Sequence, residues 1–366
     1  MKKRKRVLIS GYYGFNNSGD DAILKAIVKE FKCTSKNIDI VVLSKNPSST
    51  QKIYDVKAIN RFNIIDMLLE MRNIDMLISG GGSLLQDVTS TRSIIYYLFI
   101  IFLAKLFKKP VMIYANGIGP INKRLNRLLT RIILNKVDMI TLRDSNSKET
   151  LKNIGVNIAN IFVTADPVFT LEASDESRVK EIFIKEEIPY DKPLVGLAVR
   201  EWKNSDKLKE TLSKTLDFLS NSYGMRFLLI PMHYPEDLKI SQEIKKNTKA
   251  DCYILKNSYN VEDIMGIIKH LDMIIAMRLH SLIYAATQAV PMVGLIYDPK
   301  VEGFLDMINV DTRCNVDSLE IVDLCTQIEK VWRKRNEYNK LLTEVKYLLE
   351  KRAKDNIAMA LELLKK

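Results

Sequence analysis

The chain lacks the residue patterns of several large function classes. Only four of its 366 residues are cysteines (Cys33, Cys252, Cys314, Cys325), and no two form a C-x-x-C pair. That usage supports neither a disulfide framework nor a zinc site, and it fits a reducing compartment. Histidine occurs three times. No H-E-x-x-H run, no carboxylates at metal-ligand spacing and no G-x-S-x-G elbow are found, so metal catalysis and triad hydrolysis are unsupported and no metal or cofactor is expected. The most apolar stretch, 94–107, is followed by Lys108-Lys109 and falls short of the roughly 20 residues that a spanning helix needs. It reads as a helix buried against a sheet; the alternative is a helix resting one face on a membrane with its lysines at the head groups. The basic start, 1–6, leads into only Val7-Leu8-Ile9 before polar residues, too short an apolar run for a secretory signal. A cytoplasmic protein is expected.

What the chain has in excess is positive charge, +12 net with a pI near 9.3. That balance fits an anionic ligand, an anionic membrane face or nucleic acid. The lysines and arginines are spread along the chain, with no arginine-rich stripe interleaved with aromatics and no nucleic-acid-binding signature, so no nucleic-acid partner is expected.

Short apolar runs alternate with helix-period segments. Strands are expected at 6–10, 38–43, 76–79, 111–115, 139–142 and 161–163, and helices at 20–31, 63–71, 92–107, 123–135 and 146–154. A second series of strands follows at 194–199, 226–231, 252–255, 273–277 and 292–296. Helices separate them near 206–222, 236–246 and 261–269 and from Ser281. This predicts an α/β protein of two Rossmann-like, doubly wound domains facing a cleft. The expected divisions are an N-terminal domain over 1–172, a charged linker region over 173–192 that carries a surface helix, and a C-terminal domain over 193–316. Amphipathic helices over 317–366 are expected to pack back across the first domain.

Chemistry is expected where strands end. The loop Gly11-Tyr12-Tyr13-Gly14-Phe15-Asn16-Asn17-Ser18-Gly19-Asp20 precedes a helix without dinucleotide or P-loop spacing. It reads as a cradle for an anion or sugar, or as a tight turn with an Asp or Ser cap. Gly80-Gly81-Gly82-Ser83 and Asn116-Gly117-Ile118-Gly119 follow two further strands and together read as a wide cleft floor, or as close helix packing. Arg143, after another strand, is placed to fork onto a carboxylate or phosphate, or to pair with Asp144. Asp166 reads as a turn cap.

Met277-Arg278-Leu279-His280-Ser281 follows an apolar strand, and alternation lets Arg278 and His280 face the same side. Histidine titrates near neutrality and the helix start beside it favours anions. His233 follows a different strand and could line the same cleft. Lys300, on the turn after Tyr297-Asp298-Pro299, adds a second positive charge or is a plain surface lysine.

These motifs, in this order, resemble the polysaccharide pyruvyl transferase family in its cell-wall branch, over about residues 6–310. The resemblance implies a fold like the type B glycosyltransferases (GT-B) and transfer of pyruvate from phosphoenolpyruvate to a sugar as a cyclic ketal. It implies as acceptor an N-acetylmannosamine residue of a lipid-linked precursor, bridged across its 4- and 6-oxygens. Arg143, His280 and Lys300 match family positions implicated in donor binding or catalysis, and Asn16, Asn17 and Ser18 match its N-terminal loop. Combined with the residue reading, this makes Arg143 and His280 the catalytic candidates. Arg143, Arg278, His280, Ser281, Lys300, Asn16, Asn17 and Ser18 are the donor-binding candidates. Tyr13, Gly14, Gly81, Gly82, Asn116, Gly117 and His233 are the acceptor-side candidates. A lipid-linked acceptor would bring peripheral contact with an anionic membrane at its inner face. The alternatives are a nucleotide-sugar glycosyltransferase of GT-B type, with Asp298 and Glu302 near a ribose, and a non-catalytic binder of anionic glycans.

Overall fold

The computed structural model describes residues 4–88, 90–189 and 193–365. The chain forms two compact units, one of residues 1–170 with 349–366 and the other of residues 171–348.

The first unit opens with β1 (Lys5–Ser10), whose Val7, Leu8 and Ile9 are buried on both faces, as expected of a central parallel strand. It continues through α1 (Ser18–Thr34), β2 (Ile38–Ser44), α2 (Pro47–Tyr54), β3 (Lys57–Asn60), α3 (Ile64–Asn73), β4 (Met76–Ser79) and β5 (Gly82–Leu85). After these come α4 (Thr91–Leu106), β6 (Val111–Ile118), α5 (Arg124–Leu134), β7 (Met139–Leu142), α6 (Ser145–Ile154) and β8 (Ile161–Val163). The sheet order is β3-β2-β1-β4-β6-β7-β8, with β5 also pairing β6, and every pairing is parallel. Its core joins Leu8, Ile113 and Ile140 of the strands to Ile101 of α4 and Leu134 of α5.

The second unit begins with α7 (Glu176–Lys185). Then follow β9 (Leu194–Ala198), α8 (Ser205–Tyr223), β10 (Arg226–Leu229), α9 (Glu236–Asn247), β11 (Cys252–Ile254), α10 (Val261–Lys269), β12 (Met273–Ala276) and α11 (Leu279–Thr287). The series closes with β13 (Met292–Ile296), α12 (Pro299–Met307), β14 (Arg313–Asn315), α13 (Ile321–Arg333) and α14 (Arg335–Lys365). The sheet order β11-β10-β9-β12-β13-β14 is all parallel and corresponds to the 3-2-1-4-5-6 order of dinucleotide-binding folds. The order in which strands are added reverses between β9 and β12, and such switch points are where open α/β sheets bind ligands.

Several boundaries differ from those expected. The surface helix expected within 173–192 is α7, and it packs on α10, with Arg178 pairing Asp263 at 3.2 Å and Ser174 Oγ donating to Asp263 at 2.7 Å. Residues 190–192 of that segment lie outside the described residues. The C-terminal helices are shared between the units, since α13 and α14 as far as Leu348 belong to the second. The rest of α14 joins the first, where Asn356 accepts from Thr164 Oγ1 at 2.8 Å and donates to the Ala165 carbonyl at 3.1 Å. Asn116, Gly117 and Ile118 lie inside β6 instead of beyond its end. Pro299 and Lys300 open α12, capped by Asp298, where the sequence reads as a turn. Asp followed by Pro is also a helix-start signal, with Asp as N-cap and Pro at the first helical position.

Candidate active site

Four adjacent strands of the second sheet deliver polar side chains at their carboxyl ends. In sheet order these are His233 after β10, Arg200 after β9, Arg278 and His280 after β12, and Tyr297 and Lys300 after β13. Arg278 is held by a buried carboxylate. Its Nε donates to Asp237 Oδ2 at 2.9 Å and its Nη2 bonds Asp237 Oδ1, while Nη1 makes no hydrogen bond among the described residues. Asp237, in the first turn of α9, is buried and also accepts from the backbone N–H groups of Met232 and His233, at 3.2 and 3.0 Å. One carboxylate thus fixes the guanidinium after β12 and the loop after β10. Bidentate pairing of this kind sets orientation as well as energy.

Arg200 has no hydrogen-bond or carboxylate partner among the described residues, and its Nε is buried. Its guanidinium lies 5.6 Å from the Tyr297 ring and 6.0 Å from the Trp202 ring, which themselves meet edge to face at 4.8 Å. Aromatic rings hold a cation without neutralising it. Lys300 Nζ lies 3.1 Å from Asp298 Oδ2, whose Oδ1 accepts from the Lys300 backbone N–H at the helix start. His280, half-buried in the first turn of α11, has its ring 6.4 Å from that of Tyr284. His233 Nε2 is 3.6 Å from Glu236. Ser281 does not reach the edge: it is fully buried and its hydroxyl donates to the Arg278 carbonyl at 2.6 Å. Arg200 and Asp237 are the residues that sequence reasoning missed. Arg200 could have been found as a cation immediately past a buried strand, whereas Asp237 looks like any acid in a first helical turn.

The first unit treats its strand ends differently. Tyr13, expected on an acceptor surface, is fully buried, and a methyl group on Gly11 or Gly80 would collide with its ring or hydroxyl. Burial, with Asp20 nearby, pushes the Tyr13 hydroxyl well above its usual range. The space those glycines leave is therefore filled by the protein's own side chain. Gly81 lies over Ile23, Gly82 opens β5, and Gly14 sits at φ +78 where the chain turns under Asn46. Asn116 is wholly enclosed and donates to the carbonyls of Ser79 and Gly80 at 3.2 and 2.7 Å.

Arg143 is enclosed as well. Nη1 pairs with Asp166 at 2.9 Å, Nη2 donates to Ser83 Oγ at 3.0 Å, and Nε lies 4.0 Å from Asp144. A Cβ on Gly117 would stand 2.9 Å from that Nε. In the loop, Asn17 is the helix cap, accepting from Gly19 N and Asp20 N at 3.1 and 3.4 Å. Asn16 is exposed in a left-handed conformation, and Ser18 is half-buried at the first helical position.

Residues 17–299 match the family model described as polysaccharide pyruvyl transferase. The chain belongs to the polysaccharide pyruvyl transferase family. A pyruvyl transferase acting in polysaccharide biosynthesis is thereby established, consistent with the motifs singled out in the sequence. The amylovoran biosynthesis protein AmsJ of Erwinia amylovora is 20% identical, with 83% of this chain and 86% of that protein covered. Among solved structures, S. aureus MnaA with UDP superposes with a TM-score of 0.69 at 13% identity, covering 99% of this pyruvyl transferase and 98% of that chain. Anabaena HepE with UDP-glucose gives a TM-score of 0.68 at 11% identity, covering 98% and 99%. At such identities the likeness shows the fold, which is GT-B-like.

Proposed function

We propose that this enzyme takes its pyruvyl group from phosphoenolpyruvate and transfers it to two hydroxyls of one sugar residue, releasing phosphate and closing a cyclic ketal. In this reading the acceptor is N-acetylmannosamine of a lipid-linked cell-wall precursor, bridged across its 4- and 6-oxygens. The observation that carries the proposal is the row of cations flanking a histidine at the switch point of the second sheet. Phosphoenolpyruvate bears a carboxylate and a phosphate. Arg200, held by aromatic rings and without a counter-ion among the described residues, and the Nη1 edge of Arg278 suit those anions. Lys300 adds charge at the start of α12, and the N-termini of α11 and α12 add oriented N–H groups.

His280 is assigned proton transfer. A proton goes to the methylene carbon of the donor while a sugar hydroxyl adds to C2 and gives up its own proton. The second hydroxyl then attacks C2, its proton leaves, and the C2–O bond to phosphate breaks. Cations beside the site stabilise the departing phosphate and the charge that develops at its oxygens. Asp237 serves as a positioning residue, and Arg143 holds the strand ends of the first unit. Asn16, Asn17 and Ser18 are assigned to sugar or donor contacts.

The test is to incubate the protein with phosphoenolpyruvate and N-acetylmannosaminides, free and lipid-linked. Phosphate is expected to appear in step with a product heavier by one pyruvyl group. Release of a nucleoside diphosphate from a nucleotide sugar, with phosphoenolpyruvate untouched, would replace this reading with glycosyl transfer.

A further inference from the structure

The helix α5 buries two polar side chains and exposes a stripe of apolar ones, although Leu134 at its end reaches the core. Asn126 and Thr130 face inward, 1% and 0% exposed, and Asn126 Nδ2 donates to the buried carboxylate of Asp87 at 2.8 Å. Meanwhile Leu125, Leu128 and Ile132 stand exposed at i, i+3 and i+7, which is one helical stripe. The neighbouring helix α4 packs on α5 and is apolar on both its buried and its exposed side. Ile94, Leu98 and Ile101 fill the core, while Ile95, Phe99, Phe102 and Leu106 are 42–64% exposed at i, i+4, i+7 and i+11. Helix faces meant for water carry charge at such positions. Contiguous exposed apolar side chains beside buried polar ones mark a face that meets something other than water.

Charge identifies what covers it. Between Val88 and Val137 the sequence has no aspartate or glutamate, but nine lysines and arginines. Arg124 and Arg131 are exposed on α5, and Lys108 is exposed just past α4. We propose that the outer faces of α4 and α5 dock this protein on a bilayer of anionic phospholipid, apolar side chains in the acyl boundary and basic ones at the phosphates. Apolar stripes flanked by Lys and Arg, with no acid among them, are what interfacial helices present to anionic lipid. A second copy of this chain would bring like charge against like charge across the same face. No helix among the described residues is long and apolar enough to cross a membrane, so the contact is one of surface. The inference rests on this face alone and stands whatever the sugar acceptor is.

The full chain is to be floated with phosphatidylcholine vesicles, pure or mixed with phosphatidylglycerol. It should rise with the mixed vesicles and stay behind with the pure ones. Phe99→Ser combined with Phe102→Ser should weaken binding at least about tenfold through lost apolar burial. Arg124→Glu combined with Arg131→Glu should weaken it about tenfold or more at low salt. Val322→Ser, at an exposed site on α13, should bind as the parent does. All variants lie at exposed positions, so unchanged circular dichroism and melting curves verify their folds. Failure of the parent to rise with mixed vesicles would overturn the proposal, as would an equal loss from Val322→Ser. So would a dimer that Phe99→Ser with Phe102→Ser dissolves while neither form binds lipid.

Discussion

Arg143 and Arg278 stand on strands at different places in their sheets, after β7 and β12, yet each lies just past a parallel strand and each is bound to a buried aspartate. Arg143 is closed: all three guanidinium nitrogens meet Asp166, Ser83 or Asp144, and the side chain is 6% exposed. Arg278 is 15% exposed and keeps one nitrogen without a partner among the described residues, and its neighbour Arg200 has no counter-ion there. The same motif therefore does two jobs. In the first unit it ties strand ends together, and in the second it presents charge. What decides between them is the number of partners: Arg143 has Asp166, Ser83 and Asp144 around its guanidinium, whereas Arg278 has Asp237.

The largest test of that contrast is catalytic. His280→Gln should lower turnover by about 10²–10⁴-fold, the usual contribution of a proton-transferring side chain, with the melting midpoint unmoved. Unchanged turnover would take the chemistry away from the second sheet's edge.

Next is stability. Asp166→Ala strands a buried guanidinium and should cost about 3–5 kcal/mol in urea unfolding. Arg143→Met together with Asp166→Leu removes both charges and should recover most of that loss with turnover retained. Recovered stability with turnover lost would show that Arg143 touches the substrate and erase the difference between the two arginines.

The smallest effect concerns the closed side of the first unit. Burial pushes Asp21, in the first turn of α1, up to about 6. The folded state then keeps its proton to higher pH than the unfolded chain does, so ionised Asp21 lowers stability as pH rises from about 4 to about 6. Asp21→Asn should gain melting temperature over the parent across that window and hold a constant lead above it. A lead independent of pH would mean that water reaches the carboxylate.

Much of the fold was legible because buried parallel strands are continuous apolar runs: 76–79, 139–142 and 292–296 coincide with β4, β7 and β13. Arg278 and His280 were legible for the same reason, standing directly after such a run. Asp237 was not, because its partner lies 41 residues away and its own neighbourhood is an ordinary helix start. The helix α2, rich in Ser and Thr, is not among the expected helices, because such residues have weak helix preference and its start depends on the Asn46 cap. The apolar stretch 94–107 reads as a helix buried against a sheet, or as one resting a face on a membrane; the structure buries one face of it and leaves the other exposed.

The sequence alone determined two parallel α/β series, the strand-end motifs and the family to which they belong, because strand and helix periodicity act over a few residues. Tertiary structure decided the rest. It determined that Tyr13 fills the space left by Gly11 and Gly80, that Arg143 is paired with Asp166 while Arg200 has no carboxylate partner among the described residues, and that α5 turns Asn126 inward and Leu125 and Leu128 outward. Each of these depends on which distant side chain arrives at a given place. Burial and pairing are set by packing between segments, and local sequence rules do not reach that far.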